Sequence, residues 1–461
     1  MGRLVVVSNR VALPGETRAG GLAVALQAAL DDRAQQRRGG LWFGWSGKID
    51  PTRSGRLHRQ HADGIDYATI DLSRRDHADY YNGFANRSLW PLLHFRMDLV
   101  DYSRETWAAY RRVNALFAEK LAPMLRDDDL VWIHDYHLIP LAALLREHGV
   151  RARMGFFLHV PMPSSDLLAA LPQHGRLFEG LSAYDLVGFQ TERDLERFQD
   201  YVRLWGRGQV IAPGVLETAG GRRLRAGAFP ISIDTAQIER QAAEAGDKPS
   251  VRRLRESLSG RALAIGVDRL DYSKGLPERF RAFGRYLQRH PEQRGKLTFL
   301  QIAPVSRGDV AEYKALRQEL EQLAGHVNGS HAEPDWTPMR YVNRNFAHPT
   351  LTGFYRMARV GLVTPLRDGM NLVAKEYVAS QDPEDPGVLV LSTFAGAARE
   401  LDVGALLVNP YDLDGVADAI AAAVRMRAPE RRQRWKAMMD VLRTRDIHAW
   451  RRDYLAALEA T

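Results

Sequence analysis

The sequence predicts an α/β protein made of two doubly wound parallel-sheet domains facing a central cleft. Three observations carry this expectation. Short β-branched apolar runs alternate with longer amphipathic segments along the chain. The alternation breaks once near the middle and then restarts. At 461 residues the chain is also too long for one ordinary core. Runs that are apolar over their whole length suit parallel strands covered by helices on both faces.

In the first half, LVVVSN (4–9), LVWIHDY (130–136), MGFFLHV (154–160) and YDLVGFQ (184–190) read as strands. Thr106–Leu125 and Pro140–His148 carry apolar residues at helical spacing. Residues 205–228, rich in Gly and Arg, read as a β-hairpin or irregular excursion, and FPISID (229–234) as the crossing point. A polar helical stretch runs on to about Gly260. Strands resume with ALAIGVDRL (262–270), KLTFLQIAP (296–304), VGLVTPL (360–366), GVLVLST (387–393) and ALLVNP (405–410), and helices follow from about Asp412.

The net charge of +8 suits nucleic acid, membranes or small phosphorylated ligands held by a few cations. The arginines are spread along the chain. Their densest run, RMRAPERRQR (425–434), has no aromatic residue among them and reads as a solvated helix face. With no cysteine, disulfides, thiolate metal sites and a cysteine nucleophile are excluded. The first residues enter an apolar run without a signal-peptide pattern, Val6 breaks the myristoylation motif, and no apolar stretch nears about 20 residues. A cytoplasmic protein with neither a membrane nor a nucleic-acid partner is expected.

Ligands of doubly wound sheets bind beyond the carboxyl ends of the strands, so strand exits hold the candidates. The first strand leads through Arg10 to Gly20-Gly21 and a helix. Amides at a helix start can approach an anion, although the pair alone reads as an ordinary βα loop. After 262–270 come Arg269 and Lys274, two cations able to grip a diphosphate. A surface salt-bridge loop explains their charges equally well. Arg307 in APVSRGD is a further cation at a strand end.

In TPLRDGMNLVAKEY (364–377), Asp368-Gly369 makes a tight turn and Asn371 opens a helix whose first amides can face phosphate. Glu376 lies about one turn into that helix, placed to accept hydrogen bonds from ribose hydroxyls. A bare turn with an exposed acid would leave unexplained why polar groups crowd the exit of a buried strand.

WIHDYH places His134, Asp135 and His137 at a strand exit, and FFLHVP places His159 likewise. Side chains at such offsets diverge in a strand or turn, so no metal is expected. Asp127-Asp128-Asp129 precedes its strand and reads as a turn on the opposite edge. Tyr80, Tyr81, Phe84 and Trp90 mark a loop whose aromatic planes suit sugar rings or simply a core. The chain has no Gly-x-Ser-x-Gly elbow, Walker loop or dinucleotide fingerprint.

In this order VVVSNR, GGLA, LWFGWSG, YYNGF, LWP, WIHDYHL, GFFLH, DRLDYSKGLPER, QIAP-x-SRGD and TPLRDGMNLVAKEY resemble the retaining synthases of glycosyltransferase family 20, of the short bacterial type. The resemblance covers nearly the whole chain. It implies a GT-B architecture with domains 1–232 and 233–445 and a C-terminal helix, about 446–461, crossing back. The implied reaction moves glucose from a nucleotide-glucose to glucose 6-phosphate, giving α,α-trehalose 6-phosphate. It needs no cofactor or metal, and a homo-oligomer is implied.

The resemblance also assigns roles. Arg269 and Lys274 would hold the diphosphate, with the amides of Gly369, Met370, Asn371 and Leu372 near it. Glu376 would bind the ribose, Asp368 the glucose hydroxyls and His159 the sugar near its 6-hydroxyl. Gly20 and Gly21 would lie against the donor, and Phe346 near its base. Arg10, Tyr81, Trp90, Asp135 and Arg307 would form the acceptor pocket. The chain departs from the family pattern at Ala347-His348, where relatives carry a basic residue available to the acceptor phosphate. A synthase with another phosphorylated acceptor, such as glycerol 3-phosphate, and a non-catalytic sugar-phosphate sensor are the rival readings.

Overall fold

The computed structural model describes residues 2–14, 26–27, 29–30, 39–305 and 311–461. They divide into two units, Met1–Pro230 with His448–Thr461, and Ile231–Ile447.

The first unit is built on ten strands: β1 (Leu4–Arg10), β2 (Gly40–Asp50), β3 (Leu57–Ala62), β4 (Ile65–Ser73), β5 (Leu130–His134), β6 (Arg153–Phe157), β7 (Leu186–Phe189), β8 (Gly208–Ala212), β9 (Val215–Thr218) and β10 (Arg223–Ala228). Their order is β3-β4-β2-β1-β5-β6-β7-β10-β9-β8. The run from β4 to β10 is parallel throughout, with antiparallel strands only at the edges. The order reverses between β1 and β5, which makes their carboxyl ends the switch point.

Ser103 accepts from the Thr106 amide and starts the helix Arg104–Leu121, whose stripe Tyr110, Val113, Phe117 and Leu121 is buried. The final helix, Ile447–Glu459, contributes Trp450 and Tyr454, whose rings lie 4.9 and 4.6 Å from Trp132. The Tyr454 hydroxyl donates to the Phe156 carbonyl at 3.0 Å. Gly155 makes room for it, since a Cβ there would come within 2.4 Å of that hydroxyl.

The second unit has six strands: β11 (Ala262–Val267), β12 (Leu297–Ile302), β13 (Met339–Val342), β14 (Val360–Val363), β15 (Val388–Ser392) and β16 (Leu406–Val408). Their order is β13-β12-β11-β14-β15-β16 and every pairing is parallel. Here the order reverses between β11 and β14. Two doubly wound sheets are therefore present, as the alternating pattern predicts.

Two local expectations need correction. Residues 77–89 are not a loop but a π-helix, closed where the Trp90 amide reaches the Ala85 carbonyl. Burial of Tyr80 and Phe84 against Tyr110 and Trp107 holds this uncommon winding, which often accompanies function. The stretch 205–228 is a β-hairpin as expected, β8 and β9, continued by β10, which joins the sheet parallel to β7. The arginine-rich run is not wholly solvated, since Arg431 is buried and donates to Pro386 O and Asp385. No described helix is long and apolar enough to cross a membrane.

Candidate active site

In the second unit the candidates gather at the switch point. β11 runs into Asp268 and Arg269, then a single turn, Tyr272–Lys274, capped by Asp271. The Asp271 carboxylate is buried, accepting from the Ser273 amide at 3.0 Å and the Tyr313 hydroxyl at 3.1 Å. Gly275 follows with φ +62°, where a Cβ would come within 2.5 Å of the Thr364 carbonyl. A left-handed residue pressed against backbone has to be glycine. The loops after β11 and β14 are joined directly, because Ser273 O accepts from the amides of Leu366 and Arg367.

That junction brings Lys274 to Asp368, with Nζ 2.5 Å from Oδ2. Asn371 Nδ2 donates to the same oxygen at 3.0 Å. Asn371 has φ +74° and opens the helix Leu372–Ala379, leaving its first amides at the exit of β14. The Asp368 loop is clamped from its far side, where Met370 O accepts from the Ala397 amide. Glu376 lies one turn on, 3.6 Å from His348 Nε2. His348 Nδ1 contacts Gln241 Oε1 at 3.0 Å, so this histidine faces the carboxylate assigned to ribose. Its hydrogen bond with Glu376 raises its pKa despite burial. Phe346 packs edge-on to Phe354, with the Arg344 guanidinium over its other side. Arg269 is exposed at the exit of β11.

Beneath this surface lies Arg279, fully buried in the helix Leu276–Arg289. Its guanidinium donates to Asp268 (2.7 Å), Gln301 (2.9 Å), Thr364 (2.9 Å) and the Lys274 carbonyl (3.3 Å). One side chain thus ties the exits of β11 and β14, β12 and the cation-bearing turn. Burial raises the Asp268 pKa, against the pull of the Arg279 and Lys274 cations. Arg279 closes the motif DRLDYSKGLPER, a position to which the resemblance assigns no role. The available signal was its place on the apolar stripe of Leu276, Phe280, Phe283 and Leu287.

In the first unit the candidates surround the exits of β1, β2, β5 and β6. The Arg10 side chain runs along Gly47, where a Cβ would lie 2.8 Å from its Nε. Tyr81, on the π-helix, packs between Trp45 (5.6 Å) and His137 (5.8 Å, stacked). Tyr136 links His137 to Trp90. Asp135 follows β5 with φ +76° and ψ 165°, a conformation costly for any residue but glycine. Its Oδ1 accepts from the His159 amide at 3.2 Å. Asp135 and Asn371 both hold positive φ values, the first directly after β5 and the second at the start of the helix that follows β14. Trp45, His134 and His137 join this cluster without having been assigned roles from sequence. Gly20, Gly21 and Arg307 lie outside the described residues.

His134 Nδ1 is 3.0 Å from His159 Nε2, and Gln190 approaches His159 Nδ1 at 3.4 Å. Burial lowers the pKa of both histidines, bringing His159 down to about 3. Both rings are therefore neutral near pH 7. In the unfolded chain they bind protons below about pH 6.5, while the native chain resists. Stability should thus fall as pH drops from about 6.5 toward 3, by about 1.4 kcal/mol per pH unit for His159, with His134 contributing in the same direction. Urea titrations across that window check the sign, and His134→Phe should flatten the slope. A slope unchanged by that substitution would contradict the assignment. Among the described residues, no three His, Asp or Glu side chains group as a metal site needs.

Residues 5–460 match the family model described as Glycosyltransferase family 20. A trehalose-6-phosphate synthase of Sinorhizobium fredii is 51% identical, over 100% of this chain and 99% of its own. A UDP-forming α,α-trehalose-phosphate synthase from Burkholderia xenovorans, solved in complex with glucose-6-phosphate, superposes with a TM-score of 0.95 at 48% identity, covering 99% of this chain and 100% of that one. A trehalose-6-phosphate structure from Escherichia coli bound with UDP-2-fluoro glucose gives 0.94 at 47% identity, covering 100% and 99%.

Proposed function

The chain belongs to glycosyltransferase family 20, and from that premise we propose that it is a retaining GT-B glucosyltransferase. It moves glucose from UDP-glucose or another nucleotide-glucose to glucose 6-phosphate, giving α,α-trehalose 6-phosphate and the nucleoside diphosphate. The observation that carries this reading is the cluster of Lys274, Asp368, Asn371 and Glu376 at the second switch point.

Catalysis on this reading rests on alignment and charge. Lys274 and Arg269 offset the negative charge that grows on the diphosphate as the glucosyl bond breaks. Asp368, fixed by Lys274 and Asn371, takes the glucose hydroxyls, and Glu376 the ribose. The departing phosphate accepts the proton of the acceptor's anomeric hydroxyl on the face from which it leaves, so configuration is retained. His159, held neutral by burial, meets the sugar by hydrogen bonding without adding a cation that competes for the diphosphate. Arg10, Tyr81, Trp90, Asp135 and Arg307 serve the acceptor, whose hydroxylated ring suits an aromatic and carboxylate pocket. With His348 turned to Glu376, the arginines are the natural partners of the 6-phosphate. The partners are thus small molecules, and the same reading expects a cytoplasmic homo-oligomer.

A metal-free coupled assay of nucleoside diphosphate release, with the sugar product identified, tests this. Release that requires glucose 6-phosphate and yields the α,α-1,1-linked product is expected. Folded protein that releases nothing from UDP-, GDP- or ADP-glucose would overturn the reading, and activity with glycerol 3-phosphate alone would reassign the acceptor.

A further inference from the structure

The helix that carries Glu376 also carries Lys375, whose side chain is completely buried. Its ammonium donates to Glu400 Oε2 at 2.6 Å and to the Ile231 carbonyl at 2.8 Å. Glu400 is itself 4% exposed, and its other oxygen lies 4.0 Å from Arg445 Nη1. Burial lowers the Lys375 pKa and the Glu400 charge opposes that shift. Replacing such a buried pair with apolar side chains of similar size is often neutral or stabilising. Stability alone therefore gives no reason for an ion pair here.

Where the partners lie supplies a reason. Ile231 is the first residue of the second unit and Ile447 the last. Arg445 caps the helix Ala428–Thr444 just before that exit. The Ile447 amide donates to the Ile233 carbonyl at 3.0 Å, and the Thr235 hydroxyl to the Leu442 carbonyl at 2.9 Å. The segments by which the chain enters and leaves the second unit are thus fastened to each other. Lys375, through Glu400 and Ile231, fastens both to the helix that starts at Asn371.

We infer that Lys375 and Glu400 are positioning residues that couple the nucleotide-sugar helix to the two segments by which the chain enters and leaves the second unit. This rests on the donor role proposed above for that helix. Donor held by the first amides and Glu376 stiffens the helix, and the buried pair carries that restraint to 231–235 and 445–447. Coupling of this kind can be carried by a continuous physical connection, which these four hydrogen bonds supply.

The test is the double variant Lys375→Met/Glu400→Leu, which leaves no buried charge in the pair, with Glu400→Gln as a second variant. Hydrogen exchange of the Ile233 and Ile447 region is followed with and without UDP-glucose. Wild-type amides there are expected to slow on donor binding, and those of the folded variants to lose that response. Donor KM is expected to rise about tenfold, with acceptor KM changed less than twofold and the melting temperature held or raised. A purely structural pair would leave the donor-dependent exchange intact, so an unchanged response in a folded variant overturns the inference. If the wild type makes no product from UDP-glucose, the donor reading fails instead, and the two failures are distinct.

Discussion

Lys274→Ala is expected to lower kcat by about 10²–10³-fold while the protein remains folded, the usual loss when one preorganised charge partner is removed. The ammonium is the cation on the turn after β11, and its charge is already shared with Asp368 at 2.5 Å. Its removal therefore does two things: the diphosphate loses a counter-charge, and the Asp368 carboxylate is left as an uncompensated anion close to it. Single-turnover measurement with saturating acceptor separates the chemical step from product release. Lys274→Ala/Asp368→Asn should bind donor more tightly than Lys274→Ala, because the repulsion is gone, while its turnover stays low. A soluble Lys274→Ala protein with wild-type turnover would remove the lysine from the mechanism.

Arg279→Met is expected to give the largest loss of stability, about 3–5 kcal/mol, because it leaves the Asp268 charge buried without its partner. The guanidinium also supplies donors to Gln301, Thr364 and the Lys274 carbonyl, so the turn that presents Lys274 loses its floor. Denaturation followed with a probe in the second unit reads the effect. Adding Asp268→Asn should recover a substantial part of the stability but not the activity, since the tie to Lys274 O stays absent. Equal stability of Arg279→Met and wild type would show that water or another cation already serves Asp268.

Much of the site was legible because doubly wound sheets bind ligands at strand exits, and the exits are marked by polar residues after buried runs. Arg269, Lys274, Asp368 and Glu376 stand out as candidates in that way, and the structure joins Lys274 to Asp368 through a loop contact that no local pattern encodes. The π-helix was missed because its residues, Gly83 and Asn82 among them, favour a turn locally, and only packing of Phe84 and Tyr80 on the helix Arg104–Leu121 selects the helical path. His348 showed in the sequence as a departure from a family pattern. Its orientation toward Glu376 and Gln241 needed coordinates.

The sequence by itself determined the alternation of strand and helix, the two-part division and the types of residue at each strand exit. These follow from periodicity and from side chains near each other along the chain. Only the tertiary structure decided which charges are buried. Arg279, Lys375 and Arg431 are cations on helices, yet each is enclosed and answered by groups from other segments. The reason is physical: an ion stays inside a protein only where partners converge on it from several directions, and that convergence belongs to the folded chain.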